Sequence, residues 1–148
     1  MSERLIKFRE VVRPPLWLMA FIYFLALSLV IAIWAAMTTT IAAITFITLT
    51  IATIAIYFSS ALRIEVDESE LKVGKAHISL EHIGGIQVLT DKQMLAKRTR
   101  EADPAAYLAI RFWTPRGVLI NIADTRDATP YWLVTSKKGE KLARAIKD

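Results

Sequence analysis

The residues of this chain best suited to chemistry stand in His77-Ile-Ser-Leu-Glu81-His82. Two imidazoles and a carboxylate this close together suggest a zinc protease, whose H-x-x-E-H pattern puts ligands and general base on one helix. The spacing is against it, because the first interval is one residue too long. Ile78 and Leu80 alternate as in a strand, where His77 and Glu81 would share one face and His82 would point to the other. No third histidine exists to complete a zinc site. The remaining candidates are no better placed. Ser79, Thr135 and Ser136 lie in no G-x-S-x-G elbow. Gly84-Gly85 is not followed by the G-K-[ST] of a phosphate loop. Asp67, Glu68 and Glu70 sit in and beside a turn and read as a solvated hairpin tip. With no cysteine, a thiol nucleophile, a thiolate metal site and a disulfide framework are all excluded. The expectation is a non-enzyme with no catalytic residue, no metal, no cofactor and no small-molecule substrate.

Charge points elsewhere. The net charge is +5, and the basic residues cluster. Arg63 follows a long apolar run; Lys97, Arg98 and Arg100 share one connection; Lys137, Lys138 and Lys141 flank the last helix. Basic groups beside an anionic leaflet gain about 1 kcal/mol each. No basic residues interleave with stacking aromatics as in a nucleic-acid module, so neither DNA nor RNA is expected. The segment DATPYWLVTSKKGE, residues 127–140, adds two aromatics behind a proline. Pro130 sets the entry to a strand, with Tyr131 and Leu133 on one side and Trp132 and Val134 on the other. One pair should fill the core beneath the last helix and leave an aromatic, with Asp124 and Arg126, for a partner. The expected lipid or partner contacts are therefore Arg63, Lys97, Arg98, Arg100, Asp124, Arg126, Tyr131 and Trp132.

These side chains must be positioned by two different kinds of element. Residues 14–62 contain no charge at all. As one helix they would extend about 74 Å, whereas a bilayer core of about 30 Å takes roughly 20 residues per crossing. Two crossings fit, near Leu16–Met37 and Ile41–Ser60, joined by Thr38-Thr39-Thr40. A signal peptide has a shorter apolar core and no second run behind it. Pro14-Pro15 marks the first start, where a missing N–H matters least. Lysine and arginine flank the pair on the outside and are missing from the connection, which places both termini in the cytoplasm. Trp17, Tyr57 and Trp34 fall near the interfaces. Ser28, Ala32 and Ala35 share one face of the first span, and Thr45, Thr48, Ala52, Ala55 and Ser59 one face of the second. Small residues permit close helix approach in lipid, so these are the expected helix-packing positions. No ionisable group lies within either span, against a pump or transporter acting alone.

From Arg63 the period changes to two. Leu62–Val66 and Leu71–Val73 read as a β-hairpin, followed by a short strand through Ile78, Leu80 and Ile83 and another at Ile86–Leu89. Thr90–Asp103 reads as a short helix or loop. Tyr107–Trp113 and Gly117–Ile122 read as a second β-hairpin around Thr114-Pro115-Arg116. Tyr131–Thr135 reads as a strand and Lys138–Lys147 as a helix. The fold class is thus a membrane α-helical hairpin followed by a small α+β domain of antiparallel strands. Its parts are a basic cytoplasmic arm at 1–15, the two-helix hairpin at 16–61, and a cytoplasmic β-rich domain with one C-terminal helix at 62–148.

Strands closed by one terminal helix resemble a pleckstrin-homology-like domain. The segments RPPLWL, RIEVDESELKVGKAHISLEHIG, ADPAAY and DATPYWLVTSKKGEKLARAI carry a wider likeness. On them the chain resembles a family of small actinobacterial two-span membrane proteins catalogued as a domain of unknown function. That resemblance implies the two spans and the cytoplasmic β-rich domain and no catalytic residue. The expected role is an accessory or adaptor subunit of the bacterial plasma membrane that binds membrane lipid and another membrane protein or complex. The alternatives are a module that senses anionic lipid at the inner leaflet and, least favoured, a membrane-bound enzyme.

Overall fold

A computed structural model describes residues 4–148. The chain forms two units, one made by residues 13–61 and the other by residues up to 12 together with 62–148.

The helical unit contains α1 (Leu16–Ala36) and α2 (Thr39–Ser59). At 1.5 Å per residue each extends about 31 Å, the thickness of a bilayer core. Both helices are long and apolar enough to cross a membrane. Pro15 is the N-cap of α1, and Thr38 caps α2 by accepting the Ile41 N–H at 3.4 Å. That cap draws Thr39 and Thr40 into the helix, so only Met37 and Thr38 remain as the connection. The seam differs from the expected one. Ser28, Ala32, Ala35, Thr48 and Ala55 are exposed, and only Thr45 and Ala52 are half-buried. Met19 is the buried position of α1, Leu18, Ile22, Tyr23, Ala26, Leu27, Val30 and Ile33 are half-buried, and Ala42 is buried on α2. The hydroxyls explain the difference. Ser28 donates to the Phe24 carbonyl and Thr45 to that of Ile41, both at 2.9 Å, so each is satisfied within its own helix. Tyr23 is too long to do so, and its hydroxyl meets the Thr50 hydroxyl at 3.2 Å across the seam.

The second unit has two four-stranded sheets. The first runs in order β1 (Phe8–Val12), β2 (Leu62–Val66), β3 (Glu70–Val73) and β4 (Ala76–Ser79), all antiparallel. Residues 8–12 are therefore a strand, where the sequence reading had an arm; residues 1–3 of that arm lie outside the described residues. Phe8, Glu10 and Val12 point inward, in full register with Val66, Ile64 and Leu62. Two of the arm's cations are held by acids of this sheet: Arg4 by Glu70 at 3.3 Å and Arg9 by Glu65 at 2.9 Å.

A single turn of 3-10 helix, Leu80–His82, leads to the second sheet. It comprises β5 (Ile83–Leu89), β6 (Tyr107–Ala109), β7 (Gly117–Ile122) and β8 (Tyr131–Thr135), with α3 (Asp91–Arg98) after β5 and α4 (Gly139–Lys147) at the end. The spatial order is β5-β7-β8-β6. The expected β6–β7 hairpin does not form. β6 stops at Ala109 and pairs parallel to β8, so the sheet is not wholly antiparallel. β7 lies between β5 and β8, with Val118 and Ile120 buried in one apolar cluster and Leu119 in another. The chain from Ile110 to Arg116 must then cross over the end of β8. Thr135 Oγ1 accepts the Arg111 N–H at 2.9 Å and the Arg116 carbonyl accepts the Ser136 N–H at 3.2 Å, pinning both limbs of the crossing.

Two apolar clusters result. Val12, Ile64, Val66, Leu71, Val73, Val118, Ile120, Trp132, Val134 and Leu142 fill the larger. Leu89, Met94, Leu119 and Leu133 form the smaller one, which includes α3. Gly117 is required between β7 and β8, since a Cβ there would collide with the Val134 carbonyl and stand 2.9 Å from the Met94 methyl.

The β2–β3 turn carries a buried carboxylate where the sequence reading had a solvated tip. Asp67 Oδ1 accepts the N–H groups of Ser69 at 2.9 Å and Glu70 at 2.7 Å, with Arg4 and Lys72 beside the other oxygen. The Ser69 N–H is the main reason its pKa lies below the ordinary 3.8. A depressed carboxylate pKa adds stability that is present above 3.8 and lost as pH falls through the lower folded value. Asp67→Asn should cost about 1 kcal/mol near neutral pH, as one weakened charge-assisted acceptor. Thermal unfolding of the full chain in detergent should show the gap from wild type closing as pH falls below 3.8.

Candidate functional site

α4 is amphipathic and short. Leu142 and Ala143 are buried and Ala145 and Ile146 half-buried, while Lys141, Arg144 and Lys147 stand in solvent. Ser136, Lys137 and Lys138 lead into it. Lys138 is the N-cap and contributes no side-chain cap. Gly139 follows because the helix starts hard against β5 and β7, where a Cβ would lie 3.2 Å from Val118 and 3.3 Å from Val88.

Glu10 of β1 holds this turn. Its carboxylate is buried and accepts the Ser136 hydroxyl at 2.5 Å and the Lys137 N–H at 2.8 Å. Ser136 Oγ in turn accepts the Lys138 N–H at 3.1 Å. The turn's backbone donors are thus satisfied locally, and the lysine side chains remain in solvent. A cavity of about 360 Å³ opens there, lined by Arg116, Lys137, Lys138 and Lys141 with Glu140 as its one acid. A second of about 530 Å³ adjoins it through Lys141 and brings in Lys7 and Arg144, with Asp148. Together they make one basic strip. Lys7, Lys137, Lys138, Lys141 and Arg144 are exposed, and Arg116 alone is engaged, its Nε–H donating to Asp91 at 3.1 Å.

The contacts expected from sequence are dispersed. Arg63 is exposed on β2. Lys97 pairs with Glu101 at 3.0 Å, Arg98 is half-buried, and Arg100 is exposed beyond the end of α3. Asp124 binds the backbone and side chain of Arg126 at 3.0 and 3.3 Å. The Arg126 N–H is the main cause of its lowered pKa. Tyr131 fastens the segment after α3, its hydroxyl accepting the Asp103 N–H at 3.1 Å and donating to the Glu101 carbonyl at 3.4 Å. Trp132 is corrected outright: it is 5% exposed, stacks near Tyr107 with ring centroids 5.0 Å apart, and cannot meet a partner. Tyr131, half-buried, is the more exposed of the two aromatics. None of these residues lines the two cavities of the basic strip.

Residues 7–146 match the family described as Protein of unknown function (DUF3093). The chain belongs to this family. No curated protein and no solved structure matches it. The match begins at Lys7, so it takes in β1 with both apolar helices and the second unit almost to its end.

Sequence reasoning named the three lysines around α4 but missed Lys7, Arg116 and Glu10. The signal for Glu10 was present in the alternation of Phe8, Glu10 and Val12, which fits a strand. Glu10→Ala should destabilise the fold by about 2 kcal/mol, through loss of a charge-assisted acceptor for two donors. Urea unfolding in detergent measures the loss, and amide hydrogen exchange at residues 136–141 should rise well before global unfolding.

Proposed function

We propose that this protein is a non-enzymatic module of the bacterial plasma membrane whose β unit rests on and reads the anionic surface of the inner leaflet. The reading has α1 and α2 span the bilayer with both termini in the cytoplasm, as the flanking Arg13 and Arg63 and the uncharged Met37-Thr38 link suggest. It takes the paired sheets and closing α4 as a pleckstrin-homology-like domain, with β6 parallel to β8 as a departure from the simple antiparallel pattern. Fold likeness supplies no function. The observation that carries the reading is the basic strip and its attachment. Lys137 and Ser136 are hydrogen-bonded to Glu10, and from residue 10 to the start of α1 the chain can reach at most about 20 Å. Whatever the orientation of the two units, the strip is tethered close to the headgroups if α1 enters the membrane. Cations at that depth lie within a few Debye lengths of the surface charge.

The test uses the full chain in nanodiscs of phosphatidylcholine, with and without phosphatidylglycerol. Anionic lipid should slow amide exchange across residues 137–147, and high salt should reverse the effect. A Lys138→Gln, Lys141→Gln, Arg144→Gln variant should exchange alike in both lipids. Equal exchange of the wild type in both lipids removes the reading.

One observation favours the accessory-subunit reading beside it. Ser28, Ala32 and Ala35 stand exposed on α1, away from the seam with α2. In a membrane such a face suits close approach by a helix of another protein. Mild-detergent purification should then recover a membrane protein in stoichiometric amount, and Ala32→Leu should lose it while the chain still folds. Recovery of the chain alone counts against this reading.

A further inference from the structure

Among the described residues, two buried side-chain polar atoms lack a hydrogen-bond partner: the indole Nε1 of Trp113 and the hydroxyl of Thr114. Their residues are neighbours in the crossing over β8, and both residues line a cavity of about 240 Å³. Its other polar walls are Arg116 and Lys137.

Local contacts hold the surroundings. Thr114 is 3% exposed, and its N–H closes a turn on the Arg111 carbonyl at 3.1 Å. Phe112 sets the Trp113 ring edge-on, with centroids 5.0 Å apart and planes at 75°. Arg116 gives only its Nε–H to Asp91, which leaves the terminal N–H groups of the guanidinium. The backbone at Arg116 and Ser136 is tied by the hydrogen bond across the end of β8.

The chemistry of the wall is one-sided. An indole N–H, a guanidinium and an ammonium can only donate, and a hydroxyl can donate. No carboxylate lines this cavity. Leaving a buried donor unsatisfied costs about 1–3 kcal/mol, and here two such groups lie side by side. A group that satisfies them must accept several hydrogen bonds from different directions and carry negative charge. A carboxylate offers two coplanar oxygens. A phosphate offers tetrahedral oxygens and more charge, matching two cations and two neutral donors.

We propose that Trp113, Thr114, Arg116 and Lys137 form a binding site for a phosphate group. The source is a phospholipid headgroup or a soluble phosphate ester, which share this chemistry. The inference rests on the inner-leaflet reading only for the lipid source, and the two fail separately in the experiment.

The full chain, with its tryptophan indoles labelled with nitrogen-15, is held in phosphate-free maltoside micelles. The Trp113 signal is assigned by its loss in Trp113→Phe. Inorganic phosphate, glycerol phosphate, phosphatidylglycerol and phosphatidic acid are titrated in turn, each against chloride at matched ionic strength. A saturable downfield move of the Trp113 N–H is expected, with Trp17, Trp34 and Trp132 unmoved. Arg116→Gln and Thr114→Val should each weaken it roughly tenfold, the scale of one charge-assisted bond. Thr114→Val preserves shape, so a purely structural role would leave the titration unchanged and overturn the proposal. Response to lipid and soluble phosphate alike supports a site for any accessible phosphate group. Response to lipid alone assigns the headgroup as ligand. Response to soluble phosphate alone upholds the site and removes it from the lipid reading. No response, or an equal response to chloride, overturns it.

Discussion

Closure of the β unit depends on a strand pair whose two members are separated by the whole apolar segment. β1 leaves at Val12, and its partner β2 begins at Leu62, directly opposite. Bringing such distant residues together through a flexible loop would carry a closure entropy that grows with loop length. Here the intervening chain is two antiparallel helices of equal length with almost no connection, so its ends return to the same place. Arg13 and Tyr57 mark that return, the guanidinium lying 6.0 Å from the ring centroid. The helical pair therefore does structural work for a unit it does not belong to. The strand so returned is the edge of the first sheet, and it brings Phe8 and Val12 to the larger apolar cluster.

The same strand governs the charged surface. Glu10 points into the unit between Phe8 and Val12, and its two oxygens take donors from the turn before α4. Burying a carboxylate is unfavourable unless its acceptors are filled, and here they are. The consequence is a division of labour within Ser136-Lys137-Lys138. Backbone and hydroxyl look inward to Glu10, while the ammonium groups look outward beside Lys141 and Arg116. Position and charge are thereby separated: the strip is placed by uncharged donors, and its cations keep their freedom to meet an anion.

Much of this was legible, for reasons particular to each element. Residues 14–62 could be read because a missing charge over such a length has few explanations, and the helices fall within a few residues of the expected spans. β2, β3 and α4 could be read because one face of each is buried, so a period of two or near 3.6 survives in sequence. β1 was hidden because its pairing partner lies beyond the apolar helices and its local composition is basic. β8 misled because Trp132 and Leu133 are both covered, one by each cluster, so alternation could not say which aromatic is outside. The seam of the helical pair carries polar contacts of long side chains, Tyr23 with Thr50 and Trp34 with Thr39, while small residues elsewhere suggested another face.

The missed β6–β7 connection shows why the candidate site lies where it does. A tight turn after Ala109 would have set β6 beside β7; in the structure β8 takes that place instead. Val118, Leu119 and Ile120 of β7 are buried fully or nearly so. The crossing must run over strand ends where ladder hydrogen bonds stop, so Thr135 Oγ1 and the Ser136 N–H take their place. Phe112, Pro115 and Arg116 of the crossing stand exposed, but Trp113 and Thr114 turn inward and carry donors that find no protein acceptor. Anything that supplies the acceptors binds the folded state and not the unfolded one, and so stabilises the fold in proportion to its occupancy. The topology that hides the apolar strand is thus also what couples the stability of this unit to an anion in its surroundings.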